Sequence, residues 1–174
     1  MKYLKIYLLS FILLLNYSKA NSSDNINDIK SLLEGRYELV FWEQNNFKFN
    51  YPKVAGTLVV KNNKISFTLD SNMKESETVK IIGWGNYNLS VTEYNYGYFD
   101  FKKMTDNGID MKVNENLPWQ GMRKYSVLLK NDKLVLTSST GKQTWKLDKK
   151  SLIYTDKEWG TDKKEIIRYW KRIE

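Results

Sequence analysis

From Arg36 almost to the end of the chain, apolar residues recur at every second position. A period of two belongs to β-strands with one buried face, and it contrasts with the spacing near 3.6 of an amphipathic helix. The alternating or β-branched runs cover 36–44, 54–61, 64–70, 78–83, 86–94, 96–103, 109–113, 123–130, 133–138, 143–148 and 166–173. Asn62-Asn63 and Asn131-Asp132 each join two of these runs with residues that tolerate the positive φ of a tight hairpin turn. Short strands at intervals of about 8–12 residues point to a sandwich or a barrel. Consecutive hairpins, and the need to hide edges rich in Tyr, Val and Ile, favour a single up-and-down antiparallel β-barrel of about eight to ten strands. The helical period occurs once: Ile26, Ile29 and Leu33 predict at most two turns of helix, ended by Gly35.

The first twenty residues break both patterns. Lys2 and Lys5 precede an apolar run from Leu8 to Leu15, and Ser18-Lys19-Ala20 places small residues where a signal peptidase reads. The run is short for a bilayer span and no second one follows, so residues 1–20 read as a cleaved signal peptide. Residues 21–34 read as a leader and short helix, and residues 35–174 as one barrel domain exported to a periplasm or the medium. The full chain has a formal charge of +8, and removing Lys2, Lys5 and Lys19 lowers it to +5. The remaining lysines are scattered as pairs such as Lys102-Lys103 and Lys163-Lys164, unlike the concentrated stripe of a nucleic-acid binder.

There is no cysteine and no histidine. Their absence removes disulfides, thiolate nucleophiles, imidazole bases and the usual zinc sites, and leaves carboxylates, Lys and Tyr as the available chemistry. Asp106-Asn107-Gly108-Ile109-Asp110 lacks the length and terminal Glu of a calcium loop and reads as a turn ahead of a strand. No cofactor is expected.

A helical turn leading into Gly35-Arg36-Tyr37-Glu38-Leu39-Val40, the run Gly56-Thr57-Leu58-Val59-Val60 with Lys64-Ile65-Ser66-Phe67 after a turn, and the ending Arg168-Tyr169-Trp170-Lys171-Arg172 together resemble small bacterial lipocalin-like domains of the calycin type. Tyr37 stands where that family more often has Trp. The resemblance covers both ends of the domain and implies a barrel closed at one end by Gly35, Tyr37, Trp170 and Arg172. Either Arg172 or Arg168 would lie over the Tyr37 ring as a cation–π contact. It also implies a cup for a small hydrophobic or amphipathic molecule.

The segment from Gly83 to Phe101 is the most aromatic stretch of the chain. Alternation puts Tyr87 on one face with Leu89 and Val91, and Tyr94, Tyr96 and Tyr98 form a row if they share a strand. Trp84 lies between two glycines, and Trp119 follows Pro118 in a loop. Trp84, Tyr87, Tyr94, Tyr96, Tyr98 and Trp119 are therefore the candidate ligand-binding residues. Glu93 and Asp100 are the nearest carboxylates, better explained as surface residues. The expected function is non-catalytic binding of a small hydrophobic or amphipathic ligand by a monomer without nucleic-acid partner or membrane span. The alternative is a filled barrel that docks on a protein or envelope surface through its outer face.

Overall fold

The computed structural model describes residues 25–174 apart from Glu75 and Thr161; the expected signal peptide and the start of the leader lie outside the described residues. A helix spans residues 25–33 and buries Ile29, Leu32 and Leu33. Twelve strands follow: β1 (Gly35–Gln44), β2 (Phe47–Asn50), β3 (Val54–Lys61), β4 (Lys64–Lys74), β5 (Glu77–Leu89), β6 (Glu93–Asp106), β7 (Met111–Asn114), β8 (Arg123–Lys130), β9 (Lys133–Ser138), β10 (Gln143–Leu147), β11 (Ser151–Trp159) and β12 (Lys164–Arg172).

Ten of them close into an antiparallel barrel in the order β1-β3-β4-β5-β6-β8-β9-β10-β11-β12, sealed by β12 pairing with β1. Closure leaves no long unpaired edge, which answers the hazard of so many β-branched and aromatic residues. The hairpin turns carry the expected chemistry. Asn62 and Asn63 have φ of 51° and 63°, and Asn131 and Asp132 have 51° and 57°. The acidic segment is a turn: Asp106 Oδ1 accepts from Gly108 N, and Asn107 Oδ1 from Ile109 N and Asp110 N.

The remaining strands, β2 and β7, are offshoots. β1 pairs with β3 over Gly35–Glu38 and then with β2 over Phe41–Gln44. β6 pairs with β8 over Glu93–Tyr96 and with β7 over Lys103–Asp106. Each exchange of partner is preceded by a bulge, at Val40 in β1 and at Phe99 in β6, where one residue has no opposite number. A bulge shifts the alternation by one. The inward row of β1 thus passes from Tyr37 and Leu39 to Trp42, and that of β6 from Tyr94, Tyr96 and Tyr98 to Phe101 and Lys103.

The sequence reading is corrected in three places. The runs 78–83 and 86–94, expected as two strands broken at Trp84, join as the single strand β5 as far as Leu89; the turn falls at Ser90–Thr92, where Ser90 Oγ accepts from Glu93 N, and Glu93 and Tyr94 already belong to β6. Residues 47–50 form β2. Residues 151–159, assigned to no strand, form β11.

Candidate functional site

One end of the barrel is shut by the helix. Arg172 donates to the carbonyls of Ser31 (3.0 Å), Leu32 and Glu34, and the Tyr37 hydroxyl donates to those of Leu32 and Leu33 (3.1 Å each). The carbonyls that a helix terminus leaves unpaired are thereby satisfied, with a cation at the negative end of the helix dipole. The Arg172 guanidinium stands 5.7 Å from the Tyr37 ring centre, so Arg172, not Arg168, takes the closing position. Gly35 admits this approach, because a Cβ there would lie 2.8 Å from Arg172 Nε. Burial raises the Tyr37 phenol to about 12. Nearby, Glu34 accepts from the Tyr87 hydroxyl and from Asn62 N.

Above this plug lies a layer of rings. Tyr94 touches Tyr87, Tyr96 and Tyr125, with centroids 5.7, 5.7 and 6.0 Å apart, and Trp145 packs edge-on at 6.0 Å. Above the rings, extending to the end opposite the helix, is a cavity of about 420 Å³. That lies within the usual range of ligand pockets, about 300–1,000 Å³.

The cavity has two unlike walls. Leu58, Phe67, Leu69 and Ile81, from β3, β4 and β5, make one wall wholly apolar. Across the barrel, β10, β11 and β12 contribute a mixed wall: the polar groups Gln143, Asp156, Glu158 and Arg168 among Trp145, Leu152, Tyr154, Trp159 and Trp170. Asp156 is buried and its oxygens are taken: Oδ2 accepts from Gln143 Nε2 (2.7 Å) and Tyr154 Oη (3.0 Å), and Oδ1 from Glu158 N (2.9 Å). Gln143 Oε1 in turn accepts from Tyr125 Oη at 2.7 Å. Arg168 lies between Trp42 and Trp159, its guanidinium carbon 4.0 and 4.3 Å from the centres of two rings set at 82° to each other. Burial lowers its pKa to about 10, so it keeps its charge at neutral pH at an energetic cost.

Trp119 closes the seam that opens where β6 leaves β8. Its ring meets Tyr98 at 4.9 Å and Tyr96 at 5.5 Å, and Arg123 covers it at 3.7 Å. The loop comes this close because Gly97 faces it: a Cβ on Gly97 would lie 2.4 Å from Gly121 O.

Of the six candidate residues, the structure brings Tyr96, Tyr98 and Trp119 together in the cavity lining. Tyr87 and Tyr94 are buried in the layer beneath it. Trp84 is on the outer face, 43% exposed, which corrects its placement in the lining; its neighbours Gly83 and Gly85 take the inward positions. Gly83 sits under the Phe67 ring. Glu93 and Asp100 are outside the cavity, Glu93 near Lys124 and Asn95. Sequence reasoning missed Asp156, Gln143, Tyr154, Trp145 and Trp159, three of which lie on the overlooked β11. The resemblance offers Arg168 only a closing role, whereas alternation with Ile166 and Trp170 puts it in an inward row.

Among the described residues no group of His, Cys, Asp and Glu is placed to hold a metal ion, and no helix is long and apolar enough to cross a membrane. No protein-family model, curated protein or solved structure matches the chain. The fold reached by the geometry is a closed, ten-stranded antiparallel β-barrel compatible with a calycin-like barrel.

Proposed function

We propose that this is an exported lipocalin-like protein that binds a small amphipathic molecule inside its barrel without a catalytic step. The observation that carries the reading is the 420 Å³ cavity with one apolar wall and one that carries polar groups among its rings, closed below by the helix. An apolar and aromatic lining with a few placed polar groups is the common make-up of a ligand site. The capped helix, the Arg172–Tyr37 contact and the short helix ahead of Gly35 support the lipocalin-like part. The charged start, apolar run and small residues of 1–20 support export. The alternative of a filled barrel acting through its outer face is disfavoured by the open interior.

Native mass spectrometry of protein purified from its own source, followed by organic extraction, tests the reading. A stoichiometric amphipathic passenger is expected, retained in Trp84→Ala because Trp84 lies outside. An empty monomer that also takes up no uncharged dye such as N-phenyl-1-naphthylamine contradicts it.

A further inference from the structure

Arg168 is 7% exposed, and two of its nitrogens, Nε and Nη2, are inaccessible and without a hydrogen-bond partner. These two nitrogens carry the parallel N–H groups along one edge of the guanidinium, the fork that fits both oxygens of a carboxylate. Its contacts with the Trp42 and Trp159 rings satisfy no N–H. Asp156, the buried carboxylate on the adjoining strand, is occupied by Gln143, Tyr154 and Glu158 N. Buried charges without hydrogen-bonded partners are rare and costly, so an unpaired fork on a cavity-lining residue asks for an acceptor, which reaches it as the side chains covering the two nitrogens give way.

Two further features set the kind of acceptor. Trp119 and Trp145, which line the same cavity, also hold buried indole N–H groups without partners. The unpaired groups of the lining are therefore donors. Of the charged lining residues, Glu158 is paired with Lys142 at 2.6 Å and Asp156 accepts three hydrogen bonds, which leaves Arg168 as a buried charge without a partner. A single negative head answers that one charge.

We propose that the ligand is an amphipathic monoanion, a carboxylate or sulfonate head on an apolar body, whose oxygens accept from Arg168 Nε and Nη2 while the body lies against Leu58, Phe67, Leu69 and Ile81. This rests on the cavity reading given above and narrows its ligand class.

Two dyes with one aromatic body separate the claims: anilinonaphthalene sulfonate carries the anion, and N-phenyl-1-naphthylamine lacks it. Fluorescence titration of the purified protein should show the sulfonate binding about tenfold tighter or more, from charge-assisted hydrogen bonds. Arg168→Met should lose that preference, bringing the affinities for the two dyes within about threefold of each other, since the head contact is removed. Arg168→Lys, which retains charge but not the fork, should also weaken the sulfonate, and it serves if the Met variant does not fold. Equal wild-type affinity for the two dyes, or a sulfonate preference that survives in the variants, overturns the proposal and leaves the cavity reading standing. Failure of the wild type to bind either dye overturns both.

Discussion

Raising the pH through the phenol range should unfold the barrel abruptly instead of titrating its tyrosines one by one. Burial raises the phenol pKa of Tyr37, Tyr87, Tyr94, Tyr96, Tyr98, Tyr125 and Tyr154, to about 12 for Tyr37. Each folded phenol holds its proton above pH 10, where the unfolded chain releases it. The unfolded state therefore binds fewer protons, and stability falls as pH rises from 10 toward the folded values. Each group whose folded value lies well above that range contributes about 1.4 kcal/mol per pH unit, so the six other than Tyr125 remove about 8 kcal/mol by about pH 11. Arg168 acts with the opposite sign. Its folded pKa of about 10 lies below the unfolded 12.5, so it releases its proton first in the fold and returns about 1.4 kcal/mol over the same interval. The net loss of about 7 kcal/mol is comparable to the whole stability of a domain, about 5–15 kcal/mol. Far-ultraviolet circular dichroism and most of the phenolate absorbance, recorded together, should change in one steep step at about pH 11. Ionisation of most of the phenols at about pH 10 with the barrel signal intact would refute the burial argument.

Arg168→Met should stabilise the ligand-free protein. Relieving the depressed pKa recovers about 3 kcal/mol, and losing the contacts with Trp42 and Trp159 gives back about 1–2 kcal/mol, for a net gain of about 1–2 kcal/mol in urea unfolding; a loss of stability contradicts this. Tyr37→Phe should cost about 1 kcal/mol through its two carbonyl contacts, and Arg172→Ala more, about 2–3 kcal/mol, with clear non-additivity in the double variant because both cap one helix end. Gly97→Ala forces a Cβ to within 2.4 Å of Gly121 O and should cost about 2–3 kcal/mol, against about 1 kcal/mol for Gly141→Ala, whose φ of 70° is strained but whose surroundings are open. Thermal melts of the two glycine variants check the ranking.

The barrel was legible because its signals are local. Alternation marks the strands, and Asn62-Asn63 and Asn131-Asp132 set two turns by backbone preference alone. Tyr94, Tyr96 and Tyr98 do share an inward row, as alternation within one strand requires. The failures arise where the period of two is interrupted or masked. Trp84 looked special between glycines, yet the parity of β5 sends Gly83, Gly85 and Tyr87 inward and Trp84 out. β11 was hidden because its inward row, Leu152, Tyr154 and Asp156, ends in an acid, and only the partners Gln143 and Tyr154 make that acid acceptable in a wall. The bulges at Val40 and Phe99 move Trp42 and Phe101 inward, and a bulge is decided by where a strand changes partner, which no local pattern reports. The mixed wall is a product of closure: β10, β11 and β12 face β3, β4 and β5 only once β12 pairs with β1.

Nuclear magnetic resonance of the Arg168 Nε–H, assigned by its loss in Arg168→Lys, tests the central claim most directly. Titration with dodecanoate should shift this resonance saturably, and dodecanol should leave it in place. A resonance that ignores both, or follows the alcohol as readily as the carboxylate, would contradict an anion held by Arg168 inside the barrel.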